Sequence, residues 1–302
     1  MIIGHYRVWQ FLKKSVEAGK NSHAYLFFGP DRVGKKRVAL EFIKFLNCQG
    51  KEKPCQSCRF CKEIEQGSHP DLILIEPEKK EIQIAQIRSL SWKLSLQSHS
   101  APYKTALIDK AHSMNLEAQS ALLKTLEEPR GRTTIILVTA FPELLLPTIV
   151  SRTEKIRFSP VAKEEVVNYL SKQKVSKELA EKLLSVSSGK PGEIIEFLND
   201  PKKLEEREQK IKELKKLINS PLSYRFQYAK KESEDPMNLI ATLNVWLRFF
   251  REGLFSRGDQ LLEKYSIHKL KKIVNLIQDI SFLISRTEVN RKLALEILFL
   301  EF

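Results

Sequence analysis

Four cysteines stand close together. Cys48, Cys55, Cys58 and Cys61 follow the spacing C-x6-C-x2-C-x2-C. Four thiolates so spaced match a closed tetrahedral zinc site, with no coordination place left for chemistry. The two short turns let successive sulfurs converge on one ion. The competing readings are an iron–sulfur cluster, which usually takes another spacing and a redox setting, and free thiols. His69 follows shortly after Cys61. It is either a substitute ligand or a loop histidine in front of Pro70.

A second group concerns phosphate. Gly29-Pro30-Asp31-Arg32-Val33-Gly34-Lys35-Lys36 fits G-x-x-x-x-G-K-[ST] at each fixed place but the last. In such a loop backbone N–H groups cradle phosphate, the lysine reaches the outer phosphates, and the final hydroxyl holds Mg²⁺. Lys36 stands at that last place, and an ammonium cannot ligate Mg²⁺. The loop shape is expected to survive while metal-dependent chemistry does not; the alternative is an ordinary glycine turn. Thr105-Ala106-Leu107-Ile108-Asp109-Lys110 looks like a second strand of the same site. Its Asp would act on the metal shell, and a Glu would normally follow to orient water. Lys110 replaces that Glu. Alone, Ile-Asp-Lys is a common surface strand end; paired with Lys36, it makes two missing catalytic carriers. A third feature is Ser151-Arg152-Thr153. A surface arginine is its default reading. An arginine offered to a neighbour's nucleotide would stabilise charge on a transferred phosphoryl group.

These residues need elements to hold them. Ala24 to Phe28, Asp71 to Ile75, Lys104 to Asp109 and Thr133 to Thr139 read as short apolar strands. Val38 to Leu46 and Leu116 to Leu126 have helical apolar spacing. Such alternation predicts a parallel sheet flanked by helices. Strand signals stop near Phe158-Ser159-Pro160. Lys163 to Gln173, Ser176 to Ser187 and Pro191 to Asn199 then read as three short helices, and Asn199-Asp200-Pro201 as a boundary. Lys202 to Ile218 is a charged helix. Met237 to Phe255, His268 to Ser285 and Glu288 to Phe302 are apolar helical segments. Val245 to Phe250 is apolar on most sides, so it must pack in a bundle or against another chain. The final Phe-Leu-Glu-Phe reads as a docked end.

The totals set limits. The chain has 302 residues, 42% of them hydrophobic, which suits two or three folded domains rather than disorder. Its net charge of +14 suits a polyanionic partner or a place beside one, or simply a basic surface. No apolar run approaches the ~20 residues that span a bilayer. Met1 to His5 lacks the pattern of a secretory leader. A cytoplasmic protein is expected.

Together, several strings resemble one family. Ser22-His23-Ala24-Tyr25-Leu26-Phe27 leads into the loop at Gly29. The cysteine module runs on into Lys62-Glu63-Ile64-Glu65-Gln66-Gly67. Leu122-Leu123-Lys124-Thr125-Leu126-Glu127-Glu128-Pro129 and Ser151-Arg152-Thr153 follow. These are similar to bacterial clamp-loader subunits of DNA polymerase III, strongly over residues 1–160 and by layout beyond. The resemblance implies an α/β AAA+ domain at 1–159 carrying the zinc module, an all-α three-helix lid at 160–200, and an all-α collar at 201–302. It implies a five-subunit arc with gamma/tau ATPase and delta subunits, which sets a sliding clamp on primer-template DNA. Lys36 and Lys110 depart from the family's ATPases, and Gly192 stands where those carry a lid arginine. All three departures point to the delta-prime branch. Ser151-Arg152 matches the family's Ser-Arg-Cys motif with Thr153 for Cys, which makes Arg152 a finger for the adjacent subunit's ATP. Lys124 and Glu127 belong to the helix at that interface. Two other readings stand beside this one: an active gamma/tau-like ATPase, and a zinc-dependent DNA-binding module, which lacks a recognition-helix pattern. Whether the altered loop still holds nucleotide is open.

Overall fold

A computed structural model describes residues 2–129, 131–187, 189–255, 260–286 and 289–302. The chain divides into two compact units, Met1–Ile195 and Glu196–Phe302. In the first, α1 (Tyr6–Glu17) precedes β1 (Ala24–Phe28), α2 (Lys35–Asn47) and α3 (Arg59–Gln66). Then come β2 (Leu72–Ile75), α4 (Ile84–Ser95), β3 (Lys104–Ile108), α5 (Leu116–Glu127), β4 (Thr133–Thr139), α6 (Pro147–Ser151) and β5 (Glu154–Arg157). α7 (Lys163–Lys172), α8 (Lys177–Ser187) and α9 (Pro191–Asn199) follow, and the division between units falls inside α9.

The five strands form one parallel sheet in the order β2-β3-β4-β1-β5. Every residue of β3 and β4 is buried. Parallel strands covered on both faces need such continuous apolar runs. Alternation then sorts side chains to two cores. Ala24, Leu26, Ala106, Ile108, Ile135 and Leu137 face α4 and α5 residues such as Ile87, Leu90 and Leu122. Tyr25, Phe27, Leu107, Ile136 and Val138 meet Val38, Phe42, Ile43 and Ile64 from α2 and α3. The C-terminal strand ends carry Gly29, Glu76, Asp109 and Ala140, at the edge where open α/β sheets bind ligands.

The four expected strands are present, two of them shorter by one residue. Asp71 lies just outside β2. Its carboxylate accepts the backbone N–H groups of His99, Ser100 and Ala101 at 2.8–2.9 Å, and so ties the 99–101 loop to the strand. Several elements had no expectation, β5 and α4 among them. β5 is a charged edge strand, Glu-Lys-Ile-Arg, in which only Ile156 is buried. α4 opens on a reciprocal cap in which Gln83 and Gln86 satisfy one another's backbone.

The second unit is helical: α10 (Pro201–Ile218), α11 (Leu222–Glu232), α12 (Pro236–Phe255), α13 (Gln260–Glu263), α14 (Ile267–Arg286) and α15 (Arg291–Leu300). The apolar stretch of α12 packs inside this bundle. Trp246 and Phe250 are fully buried among Leu214, Ile273, Ile277, Leu295 and Phe299. Phe302 packs on the same cluster, and its carbonyl accepts the Tyr265 hydroxyl at 3.2 Å. The Arg225 guanidinium donates to the carbonyls of Leu217, Ile218 and Phe299, joining the ends of α10 and α15. The expected start of the last helix at Glu288 lies outside the described residues. Among those residues no helix is long and apolar enough to cross a membrane.

Candidate functional site

The loop between β1 and α2 has the backbone its sequence requires. Gly29 has φ +136°, and a Cβ there would lie 2.1 Å from the Phe158 carbonyl oxygen. Gly34, at φ +105°, starts α2. His5 Nε2 lies 2.7 Å from the Val33 carbonyl. Gly192, at the start of α9, donates its N–H to the Arg32 carbonyl at 2.8 Å, and a Cβ at 192 would come within 2.8 Å of that oxygen. No side chain fits at position 192 while α9 sits there.

Both lysines of the loop turn toward the chain itself. Lys35 is 5% exposed, and its ammonium donates to the carbonyls of Gly29 and Pro30 at 2.7 and 2.6 Å, with Asp31 at 3.9 Å. Burial pulls its pKa down, opposed by Asp31 and Asp109. The Lys36 ammonium lies 3.3 Å from Asp109 Oδ2 and hydrogen-bonds Glu76. Although burial opposes it, this pair of carboxylates holds the Lys36 pKa above its ordinary value. Ile75 pairs with Ile108 across β2 and β3, so Glu76 and Asp109 leave the sheet side by side. Two neighbouring strands ending Ile-Glu and Ile-Asp were the sequence signal for Glu76, which sequence reasoning had missed. Lys110 is exposed at φ +51° and donates its backbone N–H to Asp109 Oδ1 at 3.0 Å. The cleft these groups border has a volume of about 430 Å³ and also meets His112, Thr139 and Gly192. Gly29, Gly34, Lys35, Lys36, Asp109 and Lys110 thus gather at one edge of the sheet, with a lysine ammonium beside the acid a divalent ion would use.

The cysteines converge as well. Cys48 ends α2, Cys58 precedes α3, and Cys61 is in the first turn of α3. All four sulfurs lie within 4.8 Å of one another, and Cys48 and Cys58 are 4.0 Å apart. A zinc ion with sulfurs at ~2.3 Å sets tetrahedral edges of about 3.8 Å, so the arrangement fits such an ion after a small contraction. Backbone N–H groups of Gly50 and Cys55 point at Cys48 Sγ, and that of Cys58 at Cys55 Sγ, each at 3.3 Å. Such donors stabilise thiolate charge. Burial pushes the Cys61 thiol up. Gly50 is required: a Cβ there would lie 2.6 Å from Cys55 Cβ. His69 is not part of the sulfur group. It is buried, stacks on Phe60, and accepts the Asp71 N–H at Nδ1.

A charged cluster, unforeseen in the sequence, fastens this module to the nucleotide-type helix. Buried Lys44 on α2 contacts Glu41 at 3.3 Å, Gln56 Oε1 at 3.0 Å, and Glu65 of α3. Gln56 donates to Glu41 at 2.7 Å, and Arg37 bonds both Glu41 and Glu65. Burial raises the Glu65 pKa, but hydrogen bonds from Arg37 and Lys44 outweigh it and hold it at about 2. Glu41, Lys44 and Glu65 lie on α2 and α3, and only the fold brings them together.

Arg152 lies elsewhere, at the end of α6, and does not border the loop cleft. It is 38% exposed. Its NH2 pairs with Glu127 Oε1 at 2.7 Å, and NH1 donates to the Thr148 carbonyl at 3.1 Å. Ser151 Oγ also donates to Thr148, at 3.1 Å. Thr153 is buried and donates its hydroxyl to Ile149 and Val150. Lys124 is exposed on the same final turn of α5 as Glu127.

A parallel sheet with a glycine-lysine loop at its first strand end and an acid at a neighbouring strand end defines the class of phosphate-loop nucleotide folds, here with the Lys36 ammonium beside that acid. Sequence comparison narrows this class. The family model described as "DNA polymerase III, delta subunit" matches residues 4–162. DNA polymerase III subunit delta' of Bacillus subtilis (strain 168) is 35% identical over 250 residues, covering 82% of this chain and 70% of that one. The delta' subunit of Pseudomonas aeruginosa is 32% identical over 223 residues, covering 71% and 68%. The tau subunit of B. subtilis is 34% identical over 173 residues, covering 57% of this chain but 31% of that longer protein. The chain belongs to the delta-prime clamp-loader family of DNA polymerase III.

Proposed function

We propose that this chain is a delta-prime-type clamp-loader subunit that does not hydrolyse ATP itself and lends Arg152 to the ATPase subunit beside it. The observation that carries this reading is the Lys36 ammonium, 3.3 Å from Asp109 and bonded to Glu76. Hydrolysis of ATP in such a site needs a divalent ion held by oxygen ligands and a water oriented by an acceptor. Here one cation of the chain bridges the two strand-end carboxylates, and Lys110 stands where the water-orienting acid belongs. An active gamma/tau-like enzyme would need both functions supplied from elsewhere.

Residues 160–200 then act as a three-helix lid and 201–302 as the collar that joins the arc. Gamma/tau and delta subunits are the direct partners; the sliding clamp and primer-template DNA are met through the complex, in the cytoplasm. Cys48, Cys55, Cys58 and Cys61 hold a structural zinc ion, which contributes stability and no chemistry. The test is a paired ATPase assay. The purified chain alone should show no turnover above background, while the complex assembled with its ATPase subunits, clamp and primed DNA hydrolyses ATP and slows sharply with Arg152→Ala. Steady turnover by the isolated chain that Lys35→Ala abolishes would overturn this reading.

A further inference from the structure

The contact between Arg152 and Glu127 joins two rigid pieces of backbone by two mobile side chains. Glu127 ends α5. The carbonyl of the preceding residue, Leu126, meets His23 Nε2 at 2.9 Å, and Leu126 itself is buried. This ties the end of α5 to the residue leading into β1. Arg152 follows α6, which is fixed from the other side: Ile149 is fully buried, and the Thr153 hydroxyl bonds the carbonyls of Ile149 and Val150. Neither backbone has freedom to wander, so the aim of the guanidinium depends on its own hydrogen bonds. It has two, one to the Thr148 carbonyl and one to the Glu127 carboxylate.

We infer that Glu127 is a positioning residue, whose carboxylate holds the Arg152 guanidinium in the pose from which it crosses to the phosphates of the neighbouring subunit's nucleotide. This rests on the reading of Arg152 given above. An unpaired arginine on a surface samples many rotamers, and ordering it on arrival would cost entropy in the step that uses it. The pair removes that search beforehand. Its release is easy, because both side chains are more than a third exposed and water screens their attraction. A triphosphate offers more negative charge and a matching set of oxygens. The guanidinium therefore exchanges one carboxylate oxygen for a phosphate oxygen, while NH1 keeps its bond to Thr148 and the aim is preserved. Proximity alone would not require that the carboxylate sit on the finger's second amino group; this geometry provides it.

The test is steady-state ATP hydrolysis by the assembled complex with clamp and primed DNA, comparing Glu127→Gln, Arg152→Ala and the double variant. Glutamine keeps the size and polarity of an exposed side chain, and unchanged melting temperature and complex assembly confirm that it folds. Glu127→Gln should lower kcat roughly three- to tenfold with KM for ATP unchanged. Arg152→Ala should lower kcat by a larger factor, and the double variant should match Arg152→Ala alone. An unchanged or increased rate for Glu127→Gln overturns the inference, as does a further loss when it is added to Arg152→Ala. A normal rate for Arg152→Ala overturns instead the assignment of Arg152 itself.

Discussion

Replacing Lys36 by Thr should create or strengthen divalent-dependent nucleotide binding at the loop cleft. The perturbation removes an ammonium that stands 3.3 Å from Asp109 Oδ2 and supplies the hydroxyl of the complete loop motif. A Mg²⁺ ion ligated by that same oxygen sits ~2.1 Å from it, so ion and ammonium would be at most about 5.4 Å apart. Charges of +2 and +1 at that separation repel by about 1.5 kcal/mol in bulk water and about 6 kcal/mol at an effective dielectric of 20. Lys36 is 39% exposed, which favours the lower figure. At about 1.4 kcal/mol per factor of ten, Lys36→Thr should tighten Mg²⁺-dependent nucleotide binding at least about tenfold. Titration calorimetry with ADP, with and without Mg²⁺, reads this directly. The wild-type isotherm should not respond to Mg²⁺, whereas that of the variant should. Mg²⁺-dependent affinity in the wild type equal to that in the variant would refute the argument that the ammonium occupies the ion's place. No gain in hydrolysis is expected from this change alone, because Lys110 still stands at the position of the water-orienting acid.

Two further expectations concern the cysteine module. Cys58→Ser should lower the zinc content per chain and the melting temperature together, and Gly50→Ala should do the same with all four thiols intact, because its Cβ would sit 2.6 Å from Cys55 Cβ; metal analysis beside a thermal scan checks both, and full zinc occupancy in Cys58→Ser would exclude that ligand set. The Glu65 carboxyl, held at about 2 in the fold, should contribute stability that is complete above the unfolded value of ~4.3 and lost as pH falls toward 2. Thermal scans at pH 7, 4 and 2.5 should therefore show the wild type losing more on acidification than Glu65→Gln, and parallel curves would show that the Arg37 and Lys44 contacts do not form in solution.

The sheet was legible in the sequence because its central strands are covered on both sides. Thr133–Thr139 and Ala24–Phe28 have few polar positions to confuse the pattern, since no face meets water. β5 was not legible, since an edge strand with Glu154, Lys155 and Arg157 reads as a charged linker. The altered loop, its acidic strand end and the four cysteines were legible because each is a local spacing. What spacing could not give is the direction in which side chains turn. Lys36 was read as a missing ligand; the fold adds that it neutralises Asp109 and recruits Glu76, a residue forty positions away. The Glu41–Lys44–Gln56–Glu65 cluster likewise needed two helices and a loop to meet. The pairing of Arg152 with Glu127 joins α6 to the end of α5, and no periodicity within either helix announces it.

Three cations of this chain stand in phosphate-related motifs, and all three are paired with groups of the chain itself, though not to the same degree. Lys35 is nearly buried and donates to two loop carbonyls, so freeing it means leaving two acceptors without their donor. Lys36 lies between two carboxylates that neighbouring strands present together, and removing it would leave like charges side by side. Arg152 alone is paired with a single exposed carboxylate. The two lysines therefore serve the fold of their own loop, whereas the arginine keeps a bond weak enough to surrender. On the reading proposed above, that division suits a subunit that assists a neighbour's catalysis: two cations are held by their own loop and strand ends, and one is held by a single exposed carboxylate at a different edge.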